Sequence, residues 1–217
     1  EKAGQFPDTK WKINNLGKGW VLGETLITGI GQGYTQTTPI QLCLMTAQIA
    51  NGGYKIQPKI LTDDNQLTSE QVKKAMEDSK SNDFYEPLYD DQKNIRIVQE
   101  AMFSSTNEIM GTSYKSRIDD LKYQFAGKTG TAQVKRISKR ERELDLKTFQ
   151  IPYEERDHAL YIAFGPYRSP RYAVSIIVEH GGSGSSTAAP MATELFKLIV
   201  DRHQYRKKIP DYKEFSI

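Results

Sequence analysis

The sequence predicts an α+β fold in which helices pack on a small antiparallel sheet. Three observations carry that prediction. Three strand-like runs cluster late, at Gln124 to Val134, Leu160 to Phe164 and Tyr172 to Val178. The last two are separated only by the turn around Tyr167-Arg168-Ser169-Pro170, so they should form an antiparallel hairpin. A capped helix precedes the runs, and another follows them to pack on the sheet.

Taken in order, residues 1–36 are rich in Gly, Lys, Thr and Trp with little periodicity. They read as loop, ending in Gly29-Ile30-Gly31-Gln32-Gly33. A sharp helix start follows: Thr38 caps, Pro39 fits the first helical position, and Gln41 completes a capping box. Asn51-Gly52-Gly53 ends that helix, because glycine tolerates the left-handed conformation. Residues 54–61 suggest a short extended piece, and 62–90 a polar surface loop or short helix. A second helix is predicted from Asp91 to Phe103, with Ile95, Val98, Ala101 and Met102 as its apolar stripe. A short polar helix or turn follows, to about Arg117.

In the last strand Tyr172, Val174, Ile176 and Val178 share one face, and Ala173, Ser175 and Ile177 the other. Both faces are apolar or small, so both should be covered. After the loop Gly181 to Ser186, Thr187 is expected to cap a final helix with Pro190 in its first turn. Met191, Leu195, Leu198 and Ile199 are its expected sheet-facing residues. The tail from Arg202 is charged and peripheral.

The chain has 217 residues, 37% hydrophobic and 26% charged, with a net charge of +3. So small a charge gives no support to a nucleic-acid partner. Cys43 is the single cysteine, so no internal disulfide forms; among Leu42, Leu44 and Met45 it reads as a buried structural thiol. No apolar run approaches the ~20 residues that span a bilayer. The chain does not begin with Met, and any targeting segment or anchor is expected upstream of Glu1.

The chemistry concentrates in Gly127-Lys128-Thr129-Gly130-Thr131-Ala132-Gln133. A phosphate-binding loop would need a glycine where Lys122 stands, and a helix after the Lys-Thr pair. Gly130 and the β-leaning residues after it argue against that. A bare Lys-Thr-Gly tripeptide is also compatible with a surface turn. The remaining reading is the Lys-Thr-Gly strand of the active-site serine acyl transferases. There Lys128 supplies a positive charge that attracts a substrate carboxylate. The Thr129 and Thr131 hydroxyls hydrogen-bond it. Gly130 leaves room for a peptide to lie against the strand. The Thr131 backbone N–H donates to the oxyanion formed on attack.

Further stretches extend the pattern: Thr28-Gly29-Ile30-Gly31-Gln32-Gly33-Tyr34, Thr38-Pro39-Ile40-Gln41, Arg156-Asp157-His158, Ala163-Phe164-Gly165-Pro166-Tyr167 and Glu179-His180-Gly181-Gly182. In this order and spacing the chain resembles the elongation-type class B penicillin-binding transpeptidases, the penicillin-binding protein 2 family, along most of its length. The resemblance implies a β-lactamase/transpeptidase-like fold, with residues 1–217 as the C-terminal portion of a single transpeptidase domain. It implies the last three strands of an antiparallel sheet whose first two lie upstream. It also implies a D,D-transpeptidase of peptidoglycan synthesis at the periplasmic face of the inner membrane, held there by an N-terminal anchor. Implied partners are stem peptides ending in D-Ala-D-Ala, β-lactams, a glycosyltransferase and elongation-complex proteins. No cofactor is implied. A non-catalytic β-lactam sensor of the same fold is the alternative.

The chain departs from the family in two motifs. No Ser-x-x-Lys occurs, so the nucleophilic serine is expected upstream and the isolated chain is expected to be inactive. Ser105-Thr106-Asn107 matches Ser-x-Asn formally, but it lies too close before Lys128 and reads as a decoy. The histidines His158, His180 and His203 are too scattered for a metal site, and His158 reads as structural. The strand Tyr172 to Val178 would expose an unpaired edge, which predicts self-association of the isolated chain.

Overall fold

A computed structural model describes residues 2–58, 86–135 and 146–207. The elements are α1 (Thr9–Leu16), α2 (Leu22–Gly29), α3 (Pro39–Ala50), α4 (Gln92–Asn107), β1 (Ala126–Ala132), β2 (His158–Gly165), β3 (Tyr172–Val178) and α5 (Ala189–Lys207). The predicted α+β arrangement is therefore present. Most of the segment 62–90 lies outside the described residues, as does the end of the charged tail.

The three strands form one antiparallel sheet in the order β1-β2-β3. Lys128 stands opposite Ile162 and Gly130 opposite Leu160, while Ala159 pairs with Val178 and Gly165 with Tyr172. Among the described residues, the outer edges of β1 and β3 pair with no further strand. β1 is shorter than expected because its flanks bond elsewhere. The Gln124 carbonyl accepts from the Tyr167 N–H at 2.7 Å, and the Val134 N–H reaches Asp157 Oδ1 at 3.3 Å.

Successive strand residues face opposite sides, so the sheet has two cores. On one face Phe125, Ala159, Tyr161, Ala163 and Val174 pack against Ala188, Ala189, Ala192 and Phe196. The Phe125 and Phe196 rings stack at 4.8 Å. On the other, Ala126 and Phe164 meet Met102 of α4, with Ile49 of α3 beside them. The expected sheet face of α5 holds for Leu195 and Ile199, which pack against this core, and is corrected for Met191 and Leu198. Met191 is 52% and Leu198 68% exposed, and the fully buried residues of this helix are Ala189, Ala192 and Phe196. Small side chains at Ala189 and Ala192 let the helix approach the sheet closely, with Phe196 filling the space beyond them. Thr187 does not cap this helix. Its hydroxyl donates to the Gly181 carbonyl at 2.9 Å, within a five-residue π-helical turn, Gly184–Ala188.

The start of α3 is the one the sequence predicts. The Thr38 hydroxyl accepts from the Gln41 N–H at 3.3 Å, and Gln41 Oε1 accepts from the Thr38 N–H at 2.9 Å. Gly52 and Gly53 follow with φ of 93° and 92°. α4 begins with Asp91 as its cap and runs to Asn107, past the expected Phe103. Thr106 and Asn107 prolong it because their side chains bond inward rather than breaking the helix. The polar turn expected after it is a single 3-10 turn, Tyr114–Ser116.

The reading of residues 1–36 as loop is overturned by α1 and α2. In α2 Leu22 and Leu26, with Ile30 at its end, do recur every four residues, but all three are exposed. Asp8 caps α1 by accepting from the Trp11 N–H at 2.6 Å, and Gly17 ends it with φ 63°. Lys12, only 5% exposed, donates to Glu24 Oε2 at 2.6 Å and to the Gly19 carbonyl at 2.7 Å, stapling α1 to α2. The Lys12 hydrogen bond, with one from the Val21 N–H, holds the Glu24 carboxyl below the usual carboxylate range. A lowered folded-state pKa contributes stability that is fully present above the unfolded value and is lost as pH falls through the folded one. Acid should therefore loosen this hairpin. Both tryptophans of the chain, Trp11 and Trp20, lie in it. The expected result is a fluorescence transition below the ordinary carboxylate range that Glu24→Gln abolishes. A transition unchanged in that variant would place the titrating group elsewhere.

Candidate active site

The candidate site lies on the open edge of β1, which carries all four predicted residues, Lys128, Thr129, Gly130 and Thr131. In an antiparallel pair, alternate residues bond across to the partner strand and the residues between them point outward. The outward set is identified by its acceptors. The Gly127 carbonyl accepts from Thr106 Oγ1 at 3.4 Å, the Thr129 carbonyl from Lys128 Nζ at 2.8 Å, and the Thr131 carbonyl from Gln32 Nε2 at 2.6 Å. None of these donors belongs to β2. Residues 127, 129 and 131 therefore turn their backbone outward, and the N–H of Thr131 points along the same edge as its carbonyl.

Lys128 is exposed at this edge. A cavity of about 520 Å³ opens beside it, lined by Ile49, Val98, Met102 and Ile162 and by the polar Ser105, Glu108 and Thr112. Of the apolar stripe read on α4, Ile95 and Met102 are buried, while Val98, 40% exposed, and Ala101 line this cavity. A line of hydroxyls runs from Ser105 to Thr112 at 3.2 Å and on to Thr129 at 3.3 Å. The site thus combines a cation, hydroxyl donors, an outward N–H and an apolar wall. That suits an extended substrate with a carboxylate and a carbonyl.

Beneath the strand lies a buried hydroxyl cluster that the sequence did not disclose. The hydroxyl of Tyr161, fully buried on β2, is 3.0 Å from both Thr106 Oγ1 and Ser113 Oγ. Ser113 donates to the Ser105 carbonyl at 3.0 Å, so it is free to accept from Tyr161. Burial pushes the Tyr161 hydroxyl pKa up, keeping it a neutral donor. Asn107 donates to the Phe125 carbonyl at 2.9 Å. Thr106 and Asn107 are thus occupied in fastening α4 to β1, while Ser105 joins the hydroxyl line described above.

The histidines His158 and His180 meet at the far end of β2. The His180 N–H donates to His158 Nδ1 at 2.9 Å, and His180 Nδ1 bonds the Arg156 carbonyl at 3.1 Å. His180 adopts φ 55°, so the pair turns the chain after β3. Cys43 is half-buried on α3, with its Sγ 3.4 Å from the Ala173 carbonyl. Gln32 is the other residue that sequence reasoning missed. It lies in the stretch 28–34 that carries the resemblance, between two glycines, but nothing local marks its contact with Thr131.

A sequence profile described as the penicillin binding protein transpeptidase domain matches residues 1–197. The peptidoglycan D,D-transpeptidase MrdA of Haemophilus influenzae is 30% identical over 100% of this chain and 31% of its own length. MrdA of Acinetobacter baumannii is 35% identical over 88% of this chain and 27% of its own. The chain therefore spans less than a third of these relatives. Among solved structures, Pseudomonas aeruginosa PBP2 in complex with WCK 5153 has a TM-score of 0.65 and 32% identity, covering 98% of this chain and 40% of that one. PBP2 of Helicobacter pylori, solved in complex with MreC, has a TM-score of 0.66 and 30% identity, covering 96% of this chain and 32% of that one.

Proposed function

The chain belongs to the penicillin-binding protein transpeptidase domain family, and we propose that it supplies the substrate-binding strand of a serine-type peptidoglycan D,D-transpeptidase. The nucleophile on this reading is a serine outside these 217 residues, since no Ser-x-x-Lys occurs among them. The observation that carries the reading is the open β1 edge, where exposed Lys128 stands three residues from the outward backbone of Thr131.

Lys128 draws in the terminal carboxylate of a stem peptide, and the Thr129 and Thr131 hydroxyls orient it. The peptide lies along β1 as an added strand. The serine oxygen attacks the carbonyl of the penultimate D-alanine, and the Thr131 N–H stabilises the oxyanion. The terminal D-alanine leaves with a proton on its amine. The amine of a neighbouring stem peptide then attacks the acyl-enzyme, forming the cross-link and freeing the serine. Splitting the transfer in two lowers each barrier. A β-lactam acylates the same serine.

Among the described residues no helix is long and apolar enough to cross a membrane. The proposal places the full protein at the periplasmic face of the inner membrane, anchored by a segment outside this chain. It would work there with a glycosyltransferase and elongation proteins. Helicobacter pylori PBP2, solved with MreC, supports that last point by likeness.

Intact mass after incubation with a penicillin tests the reading. It is run on this chain and on the full-length protein. An adduct on the full-length protein alone is expected. An adduct on the short chain would place the nucleophile within it, and none on either would overturn the transpeptidase reading.

A further inference from the structure

We propose that Gln32 is a displaceable latch on the substrate edge of β1. Its side-chain amide occupies the Thr131 carbonyl, which a peptide must use to dock as an added strand. This deepens the transpeptidase reading and rests on it.

The contact is short and bridges distant parts of the chain. Gln32 Nε2 donates to the Thr131 carbonyl at 2.6 Å, across 99 positions. Thr131 is also the residue whose outward N–H serves as oxyanion donor. An outward-facing strand residue offers its N–H and its carbonyl together, and an added strand uses both. The peptide N–H that brings the substrate into register therefore competes with the Gln32 amide for one oxygen.

The loop that bears Gln32 is shaped for this contact. Gly31 and Gly33, on either side, have φ of 75° and 80°, a region that favours glycine. The Gln32 N–H bonds the Ile27 carbonyl at 3.0 Å, and the Gly31 N–H the Thr28 carbonyl at 2.9 Å. The backbone is thereby fixed to the end of α2, and the side chain reaches the edge from there.

The other outward carbonyls differ. The donor at Gly127 is Thr106, fully buried and locked to Tyr161, so that position is closed to substrate. The donor at Thr129 is Lys128, whose exposed ammonium is, on the proposed function, the group that meets the substrate carboxylate. Gln32 is neutral, so eviction strands no charge, and water satisfies its amide once released. An unoccupied edge would be a template for unwanted strand pairing. The latch covers it until a peptide with both carboxylate and N–H arrives.

The test measures acylation of the full-length protein by a fluorescent penicillin, as a second-order rate constant. Gln32→Ala removes the side chain, and Gln32→Met keeps its length without the donor. Loss of one neutral hydrogen bond that competes with substrate should speed acylation about three- to tenfold in both variants. Melting temperature should fall by no more than a few degrees, the stability equivalent of that one hydrogen bond, and the rate of acyl-enzyme hydrolysis should stay as in wild type. Slower or unchanged acylation in Gln32→Met would overturn the latch, showing that Gln32 holds the substrate or is idle. Absence of acylation in wild type would instead overturn the transpeptidase reading, and the latch with it.

Discussion

Replacing Lys128 with alanine in the full-length protein is expected to slow acylation by a penicillin roughly ten- to a hundredfold without unfolding it. The ammonium lies on an exposed edge and donates to the Thr129 carbonyl at 2.8 Å. That carbonyl faces outward and is met by water when the lysine is gone. A hydrogen bond to a charged group is worth about 1.5–3 kcal/mol, and every 1.4 kcal/mol is about tenfold. The loss should therefore appear almost entirely in acylation. Salt provides an independent signature, because attraction between an exposed cation and a carboxylate is screened. The wild-type rate should fall with ionic strength more steeply than that of Lys128→Ala. Lys128→Arg should recover only part of the rate, since its planar fork cannot reproduce a compact ammonium. A wild-type rate in Lys128→Ala would remove this residue from the site.

What the sequence disclosed about this molecule was local, and what it concealed was mostly contact at a distance. The α3 start was legible because Thr38, Pro39 and Gln41 carry their capping chemistry within one turn. β3 was legible to its ends, and β2 was undercalled because Ala159 and Gly165 join it only by pairing with Val178 and Tyr172. The α1–α2 hairpin was hard to read because each helix is only 8 residues long and a part-buried ion pair, Lys12 with Glu24, joins them. The α5 face was legible at Leu195 and Ile199 but not at Ala189, Ala192 and Phe196, which lie deepest, because small residues and one aromatic lie off the aliphatic periodicity. The same division runs through the candidate site. Lys128 to Thr131 lie on one strand and form one motif. Gln32 reaches Thr131 through a fold-dependent contact with no periodicity to announce it. The Tyr161 cluster was hidden for a different reason. Alternation puts Tyr161 on the same face as Ala159 and Ala163, but nothing local says that its hydroxyl meets Thr106 and Ser113.

That cluster sets the second large effect, at Gly127. A Cβ added there would stand 2.5 Å from Tyr161 Cζ and closer still to its hydroxyl oxygen. Tyr161 cannot withdraw. It is fully buried, its ring meets Phe125 edge-on at 6.4 Å, and its hydroxyl is held at 3.0 Å by both Thr106 and Ser113. Overpacking a well-filled core costs about 1–3 kcal/mol, occasionally more, so Gly127→Ala should lower the urea midpoint of the transpeptidase domain clearly. Gly130→Ala, three residues along the same strand, should not. Its Cβ would lie 3.3 Å from Leu160 Cβ, a contact relieved by a few tenths of an ångström. On the proposed function Gly130→Ala should slow acylation while the domain stays folded, whereas Gly127→Ala should lose stability first. The assignment of the clash is checked by repeating Gly127→Ala in a Tyr161→Ala background, where the ring is absent. The added methyl should then cost much less than in wild type. Equal cost in both backgrounds would mean that something other than Tyr161 excludes a side chain at Gly127. Tyr161→Phe is a poorer background for this cycle, because it removes the hydroxyl but leaves the ring carbon against which the methyl collides. If the cycle shows the expected coupling, glycine is required at the head of the motif by the core beneath it and at Gly130 by the substrate beside it.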